Sequence, residues 1–274
     1  FNLNKDLLLR IKLYRLPEGK SLLVFVAHHI ITDMYSMLLL IKNFWLAYRN
    51  HPNFDDRKDT LYFEHISEQF RKYEDVDLKN HLINYWRNYI GNHAADSYIN
   101  NDKPRKSIKE YNGKTQGFEI NYDTIKAVKD FVSTKKSTSF GFFLVIIKIL
   151  LYRYSNQKSI TIGVTTHGRG ANKYFDSFGF FSRILPINSA LTGNEKFLDL
   201  LGHVYQNFRN ASKHPIPFPL LVDSLNIPFE SDRNPLFQVA FSYNDSTSMF
   251  QIINSELDNA NESIFQLLRV PQSE

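Results

Sequence analysis

Six consecutive apolar residues, Leu22-Leu23-Val24-Phe25-Val26-Ala27, run directly into two histidines, His28 and His29, and that junction constrains the chain more than any other stretch. A short continuous apolar run with branched residues predicts a buried strand, which places the histidines at its exit. Beyond Ile30-Ile31-Thr32-Asp33, the segment Ser36 to Tyr48 is apolar enough for a mostly buried helix, with Thr32 or Asp33 as its N-cap. A strand, a short polar loop and a buried helix hold side chains rigidly, as a reacting centre requires.

Three blander readings compete with a catalytic one. A histidine beside an apolar strand is commonly a core residue with one satisfied hydrogen bond, and Asp33 has an ordinary role as a helix cap. If the strand continues through the pair, His28 and His29 point to opposite sides, so that one is structural and the other functional. A metal site ranks lowest. There is no HExxH pattern and no cysteine, and His51, His65, His81, His93, His167, His203 and His214 show no ligand spacing.

His28, His29 and Asp33 match an HHxxxDG pattern in which Met34 replaces the glycine. With its preceding strand, this segment resembles the signature of the condensation-domain superfamily of nonribosomal peptide synthetases, whose fold is similar to that of chloramphenicol acetyltransferase. Other family-like segments follow in order. Tyr62-Phe63-Glu64-His65 stands where the family has a YxDY-type segment, and Tyr85-Trp86-Arg87-Asn88-Tyr89 resembles its YWR helix end. Phe178-Gly179-Phe180-Phe181-Ser182-Arg183-Ile184-Leu185-Pro186 is similar to its IGxFVNTLP run, Pro217-Phe218 to its PFE segment, and Asp232-Arg233-Asn234-Pro235-Leu236-Phe237-Gln238-Val239 to its SRNPLFQ run.

The resemblance implies an α/β, two-lobed chloramphenicol acetyltransferase-like fold, partial in this chain. Residues 1–95 would be the C-terminal part of the N-lobe with the HHxxxD loop, 96–112 a linker, and 113–274 a C-lobe incomplete at its end. The polar stretch from Asn92 to Asn112 has linker character. An upstream arginine-rich motif, expected in relatives to pair with the motif aspartate, has no counterpart before Phe1. Within the second part, the pattern predicts a strand over Gly117 to Ile120, helices over 123–134 and 139–154, a strand over 159–165, a helix over 196–210 and a strand over 236–243. A helix over 78–89 precedes the linker.

Composition bounds the function classes. The 274 residues are 43% hydrophobic, which suffices for a core. The absence of cysteine excludes a disulfide scaffold, fits a reducing compartment and leads us to expect a cytoplasmic protein. Phe1 to Asp6 has no secretory pattern, and the most hydrophobic segment, Ser139 to Tyr154, is short for a membrane span and carries Lys148. A net charge of +5 without a basic, aromatic-interleaved helix argues against nucleic acid, while a mildly basic surface suits an acidic partner.

The chemistry the resemblance implies is amide formation between a carrier-bound acyl or aminoacyl thioester and the amine of a carrier-bound aminoacyl group. No cofactor would be bound directly; both substrates would hang on phosphopantetheine arms of partner carrier proteins, with adenylation or carrier domains adjacent. His29 would be the catalytic residue, taking a proton or orienting the amine. His28 and Asp33 would support the loop, while Ser36, Arg183 and Asn234 are candidate channel-lining residues. His29 is expected to open into a tunnel walled by the 178–186 and 233–237 segments. Arg183, where the family has asparagine, would meet a substrate carboxylate in the channel or an ion-pair partner at the surface. Epimerization domains carry an EGHGRE-like segment; Thr165-Thr166-His167-Gly168-Arg169-Gly170 leaves both glutamate positions empty, which favours condensation. A related acyltransferase with a free amine or alcohol acceptor, and a noncatalytic carrier-recruiting domain, are the alternatives.

Overall fold

A computed structural model of the chain describes residues 1–49, 61–91, 113–170, 172–228 and 230–244. They group into two compact units. The first comprises residues up to Lys72 together with His167–Ser182; the second comprises Tyr73–Thr166 and Arg183–Tyr243. The linker expected at 96–112 lies outside the described residues, as does everything after Asn244.

The first unit is built on an antiparallel hairpin, β1 (Leu9–Arg15) and β2 (Ser21–Ala27), in the register Leu9↔Ala27, Ile11↔Phe25 and Arg15↔Ser21. A 3-10 turn at Pro17–Gly19 closes it, with Glu18 and Gly19 at φ 63° and 72°. Helix α1 (Met34–Tyr48) follows, capped by Asp33, and then α2 (Leu61–Glu74). The apolar run is a strand as expected, but it is only half-buried, with Val26 exposed. Its residues are apolar on both faces. Phe44 of α1 meets Phe25, ring centroids 5.7 Å apart, whereas Ile11 and Leu13 of β1 remain exposed.

The second unit packs helices on a small mixed sheet. β3 (Ser159–Thr166) pairs antiparallel with β4 (Arg183–Ala190) and parallel with β5 (Ala240–Phe241). Helices α3 (Val76–Ile90), α4 (Tyr122–Thr134), α5 (Ser139–Ser155), α6 (Phe197–Lys213) and α7 (Phe218–Ser224) complete it. Its core joins Trp86 and Ile90 of α3 and Leu144, Val145 and Leu151 of α5 to Ile160, Ile162, Leu185 and Ile187 of the sheet. Trp86 is fully buried and donates its indole N–H to the His214 carbonyl at 2.9 Å, so a large apolar ring is buried without stranding its donor.

Two expected strands fail for local reasons. Residues 113–121, including Gly117 to Ile120, are irregular and exposed. The strand expected over 236–243 contracts to β5, because Leu236 takes φ 70° and the Phe237 N–H bonds the Pro235 carbonyl at 2.9 Å, turning the chain instead of extending it. The turn lays the Phe237 ring over Gly163 of β3, where an added Cβ would lie 2.3 Å from it. Only glycine admits that approach. The sequence pattern does not predict β4, because Pro186 interrupts it; Pro186 pairs opposite Gly163 in the register.

Helix α5 is apolar almost all round, begins on the Thr138 side chain accepting from Gly141 N–H, and ends on Asn156 in the left-handed region. Among the described residues no single helix is long and apolar enough to cross a membrane. Inside it, Lys148 is 0% exposed, and its Nζ donates to the carbonyls of Ile160 in β3 and Ile187 in β4, both at 2.7 Å. A neutral amine has two N–H groups, and both are used here; an ammonium would bring a third proton and a charge into the core. Burial accordingly pulls the Lys148 pKa down to about 7 from its ordinary 10.5.

Between about 7 and 10.5 the unfolded chain binds a proton at Lys148 that the folded chain does not, so this residue lowers stability most at and below pH 7 and the penalty is relieved as pH rises. We expect the unfolding free energy of wild type relative to Lys148→Met to move in favour of wild type by a few kcal/mol, roughly, between pH 7 and pH 10. Denaturant unfolding of both proteins across that range checks this; parallel pH profiles would show that Lys148 stays charged in the fold.

Candidate active site

β2 ends at Ala27, so both histidines lie in the loop and the alternation expected of a strand does not reach them. The loop is tied at its start by the His28 N–H bonding the Leu8 carbonyl at 2.8 Å, and it turns through the Ile31 N–H to the His28 carbonyl at 3.1 Å. The two rings then take different roles. His28 Nδ1 accepts from the Ile30 N–H at 3.1 Å, and its ring meets the Phe1 ring edge-on at 5.9 Å. His29 Nδ1 lies 2.7 Å from the Thr32 carbonyl. A carbonyl only accepts, so His29 Nδ1 carries the proton, and in the neutral ring Nε2 keeps its lone pair. In His28 the same reasoning gives the opposite tautomer. His29 is exposed, with the Phe180 ring perpendicular to it at 5.4 Å.

Asp33, 2% exposed, is the N-cap of α1 and much more. Its Oδ1 accepts from the Ser36 N–H at 2.8 Å, and its Oδ2 accepts from the N–H groups of Phe181 at 3.0 Å and Ser182 at 3.1 Å and from the Ser182 hydroxyl at 3.3 Å. The Arg169 guanidinium stands 3.4 Å from Oδ1. That is long for a charge-assisted bond, so the backbone donors do most of the hydrogen bonding while Arg169 balances the charge. Arg169, 1% exposed, donates to the carbonyls of Tyr174 and Ser177 and to the Ser36 hydroxyl at 2.7 Å. The Phe181 and Tyr35 rings flank it at 4.0 and 4.6 Å.

Ser36 links helix to loop. Its hydroxyl donates to the Gly179 carbonyl at 2.7 Å and accepts from the Gly179 N–H at 3.0 Å. Gly179 has no room for a side chain, since an added Cβ would lie 2.3 Å from the Tyr62 ring of α2. Tyr62 donates its hydroxyl to the Phe180 carbonyl at 3.3 Å, and buried His65 lies against the rings of Tyr174 and Phe181. Burial raises the Tyr35 and Tyr62 phenols, while burial first and the Arg169 charge second lower the His167 imidazole, so these groups stay neutral around the ion pair.

The structure therefore brings His28, His29, Asp33 and Ser36 together and adds Arg169, Phe180, Phe181 and Ser182. Ser36, expected to line a channel, is fully buried and its hydroxyl is committed, so it braces the site instead. Among the described residues the cation beside Asp33 is Arg169, from the run otherwise notable for lacking two glutamates. Nothing local in the sequence marks it as that partner, because the two are far apart along the chain. Arg183 and Asn234 belong to the second unit. Arg183 opens β4 beside Tyr73, whose phenol is pushed up by burial and partly drawn back by the guanidinium. Exposed Asn234 exchanges hydrogen bonds with the Gln238 amide. Met34 is the first residue of α1, 58% exposed, with no positive φ.

A histidine loop backed by a buried aspartate within an α/β frame defines a class. The chain belongs to the condensation-domain family, whose match runs over residues 1–271. Among curated proteins it is similar to tyrocidine synthase 2 of Brevibacillus parabrevis, 27% identical over 248 residues, 88% of this chain and 7% of that one. It is also similar to phosphinothricin tripeptide synthetase PhsC of Streptomyces viridochromogenes, 28% identical over 262 residues, 94% of this chain and 24% of that one. The chain thus spans a small part of these relatives. The fold is similar to part of a four-domain nonribosomal peptide synthetase solved with AMP and glycine, with a TM-score of 0.79 at 20% identity, covering 89% of this chain and 18% of that one. It also matches the X-domain from teicoplanin biosynthesis, with a TM-score of 0.72 at 21% identity, covering 88% and 55%.

Removing one partner of a buried ion pair leaves the other charge stranded. We expect Asp33→Ala to destabilise the protein by roughly 3–5 kcal/mol, more than a lost helix cap alone at about 1 kcal/mol. Arg169→Met should also destabilise, and the double variant should cost at least about 1 kcal/mol less than the sum of the two single ones. Chemical denaturation of the four proteins checks this, and strict additivity would show that the pair is not coupled.

Proposed function

We propose that this chain acts as the condensation domain of a peptide assembly line, or of a hybrid one. It would form an amide between a donor acyl or aminoacyl thioester on one carrier protein and the amine of an aminoacyl thioester on another. The observation that carries this reading is His29: an exposed imidazole whose Nδ1–H is committed to the Thr32 carbonyl, leaving Nε2 as an acceptor. An amine approaching Nε2 is oriented by it and gives up a proton as the new C–N bond forms; the electrons of the C–S bond leave with the phosphopantetheine thiol. Asp33 and Arg169 lie too deep to touch substrate, and their part is to hold the loop.

The phosphopantetheine arms belong to the carrier proteins and arrive with the substrates, so no resident cofactor is invoked. Adjacent adenylation or carrier domains are the expected partners, neither nucleic acid nor membrane enters the reaction, and a cytoplasmic site suits free thiol chemistry. The lobes would be residues 1–95 and 113–274, joined by a linker at 96–112. Condensation is favoured over epimerization because Thr165 and Gly170 stand where the EGHGRE-like segment of an epimerization domain carries its two glutamates.

The test uses the protein in its full assembly with loaded carriers. His29→Ala should lower amide formation by roughly 10²–10⁴-fold while leaving the melting temperature within a few degrees, because the ring is exposed and its one backbone bond is local. Unchanged product formation in the folded variant would rule out the assignment. Transfer to free amines or alcohols, but not to carrier-bound ones, would indicate the related acyltransferase. Carrier binding without any turnover would indicate a recruiting platform; one solved structural neighbour is an X-domain in complex with OxyB.

A further inference from the structure

Phe180 is the group beside the imidazole that amide formation at His29 leaves without a role. Its ring is 39% exposed, large and apolar, and stands perpendicular to the His29 ring with centroids 5.4 Å apart. Its backbone is held on every side. Tyr62 donates to the Phe180 carbonyl, Ser36 bonds both backbone groups of Gly179 before it, and Asp33 accepts from the Phe181 N–H after it. A solvent-exposed aromatic ring on so rigid a backbone is pre-organised, and using it as a contact surface costs little ordering entropy.

The geometry limits what can react at His29. An amine within hydrogen-bonding reach of Nε2, about 2.6–3.2 Å, brings its α-carbon and side chain beside an imidazole whose centroid is 5.4 Å from that of the Phe180 ring. An apolar side chain gains by covering the ring, while a charged one must shed water against it without a partner. Among the described residues, Ile30 in the same loop and Met34 just after it also expose apolar side chains, so the sequence around the imidazole offers no charged partner from this segment.

We propose that Phe180 is a specificity-determining residue of the His29 site, selecting an acceptor aminoacyl group with an apolar side chain. This rests on the condensation reading, which it sharpens to a substrate class. Phe180 takes no part in proton transfer; it sets which amine is held next to Nε2.

The test reads binding and turnover separately. Non-hydrolysable leucyl- and aspartyl-pantetheine amides are titrated by calorimetry into the full-length protein, and acceptor competition between leucyl and aspartyl carriers is measured with one donor. Wild type should favour the leucyl probe by roughly 10–100-fold, within the range that a single methylene gives in an apolar pocket. Phe180→Ser should reduce that ratio to a few-fold, and Phe180→Leu, which keeps an apolar surface, should retain most of it. The His29 ring signals in NMR should shift on leucyl-probe binding in wild type. Equal ratios in wild type and Phe180→Ser, or binding of neither probe by wild type, would overturn the proposal. Selective probe binding that Phe180→Ser abolishes, in a protein that forms no amide with any acceptor, would uphold the role of Phe180 and defeat the catalytic reading instead.

Discussion

The buried carboxylate of Asp33 is the point on which the first unit's site depends. Taking a carboxylate and a guanidinium out of water costs several kcal/mol for each ion, so both survive burial only where hydrogen-bond partners surround them. Partners for the carboxylate come from three separate pieces of chain: the first turn of α1 through Ser36, the 179–182 segment through Phe181 and Ser182, and the 167–177 segment through Arg169. Each piece is thereby fixed to the residue that ends the histidine loop. The loop starts equally fixed, at the Leu8 carbonyl, and the few residues between have little freedom left.

Rigidity of that kind explains why two adjacent histidines do different things. Their backbone partners are of opposite character, an N–H for His28 and a carbonyl for His29, and a neutral imidazole must donate to one and accept from the other. His28 spends its acceptor on the turn and keeps a proton on Nε2. His29 spends its donor and keeps an acceptor. A single side chain pointing outward with a lone pair is what a proton-accepting or amine-orienting role needs, and only one of the pair provides it.

The local parts of this arrangement were legible in the sequence. The Asp33 cap, helix α1, the buried helix α5 and the spacing of the histidine motif are written in residues close to one another, and each emerged within a residue or two of its expected bounds. What was not legible depends on distant partners. Arg169 reads as a loop residue until Asp33 is beside it, and Ser36 reads as a channel-lining residue until Gly179 closes over it. The continuous apolar pattern of β2 reports what both faces favour and not what covers them, so the pattern implies more burial than the half-buried strand has. β4 and β5 were blurred by Pro186 and by the left-handed Leu236, both of which break an alternating pattern.

Met34 shows how a departure from a motif can be weighed physically. A glycine is irreplaceable where the backbone enters the left-handed region or where another group lies within a Cβ radius, as at Gly163 and Gly179. Met34 meets neither condition: it is the first residue of α1, has no positive φ, and projects into solvent. The first turn of a helix accepts almost any residue, since its N–H groups are satisfied by the cap and not by the side chain that follows. The Asp33 bonds and the His29–Thr32 contact are therefore compatible with methionine, and whatever Met34 changes must act outside the backbone, on groups that pass over its exposed side chain.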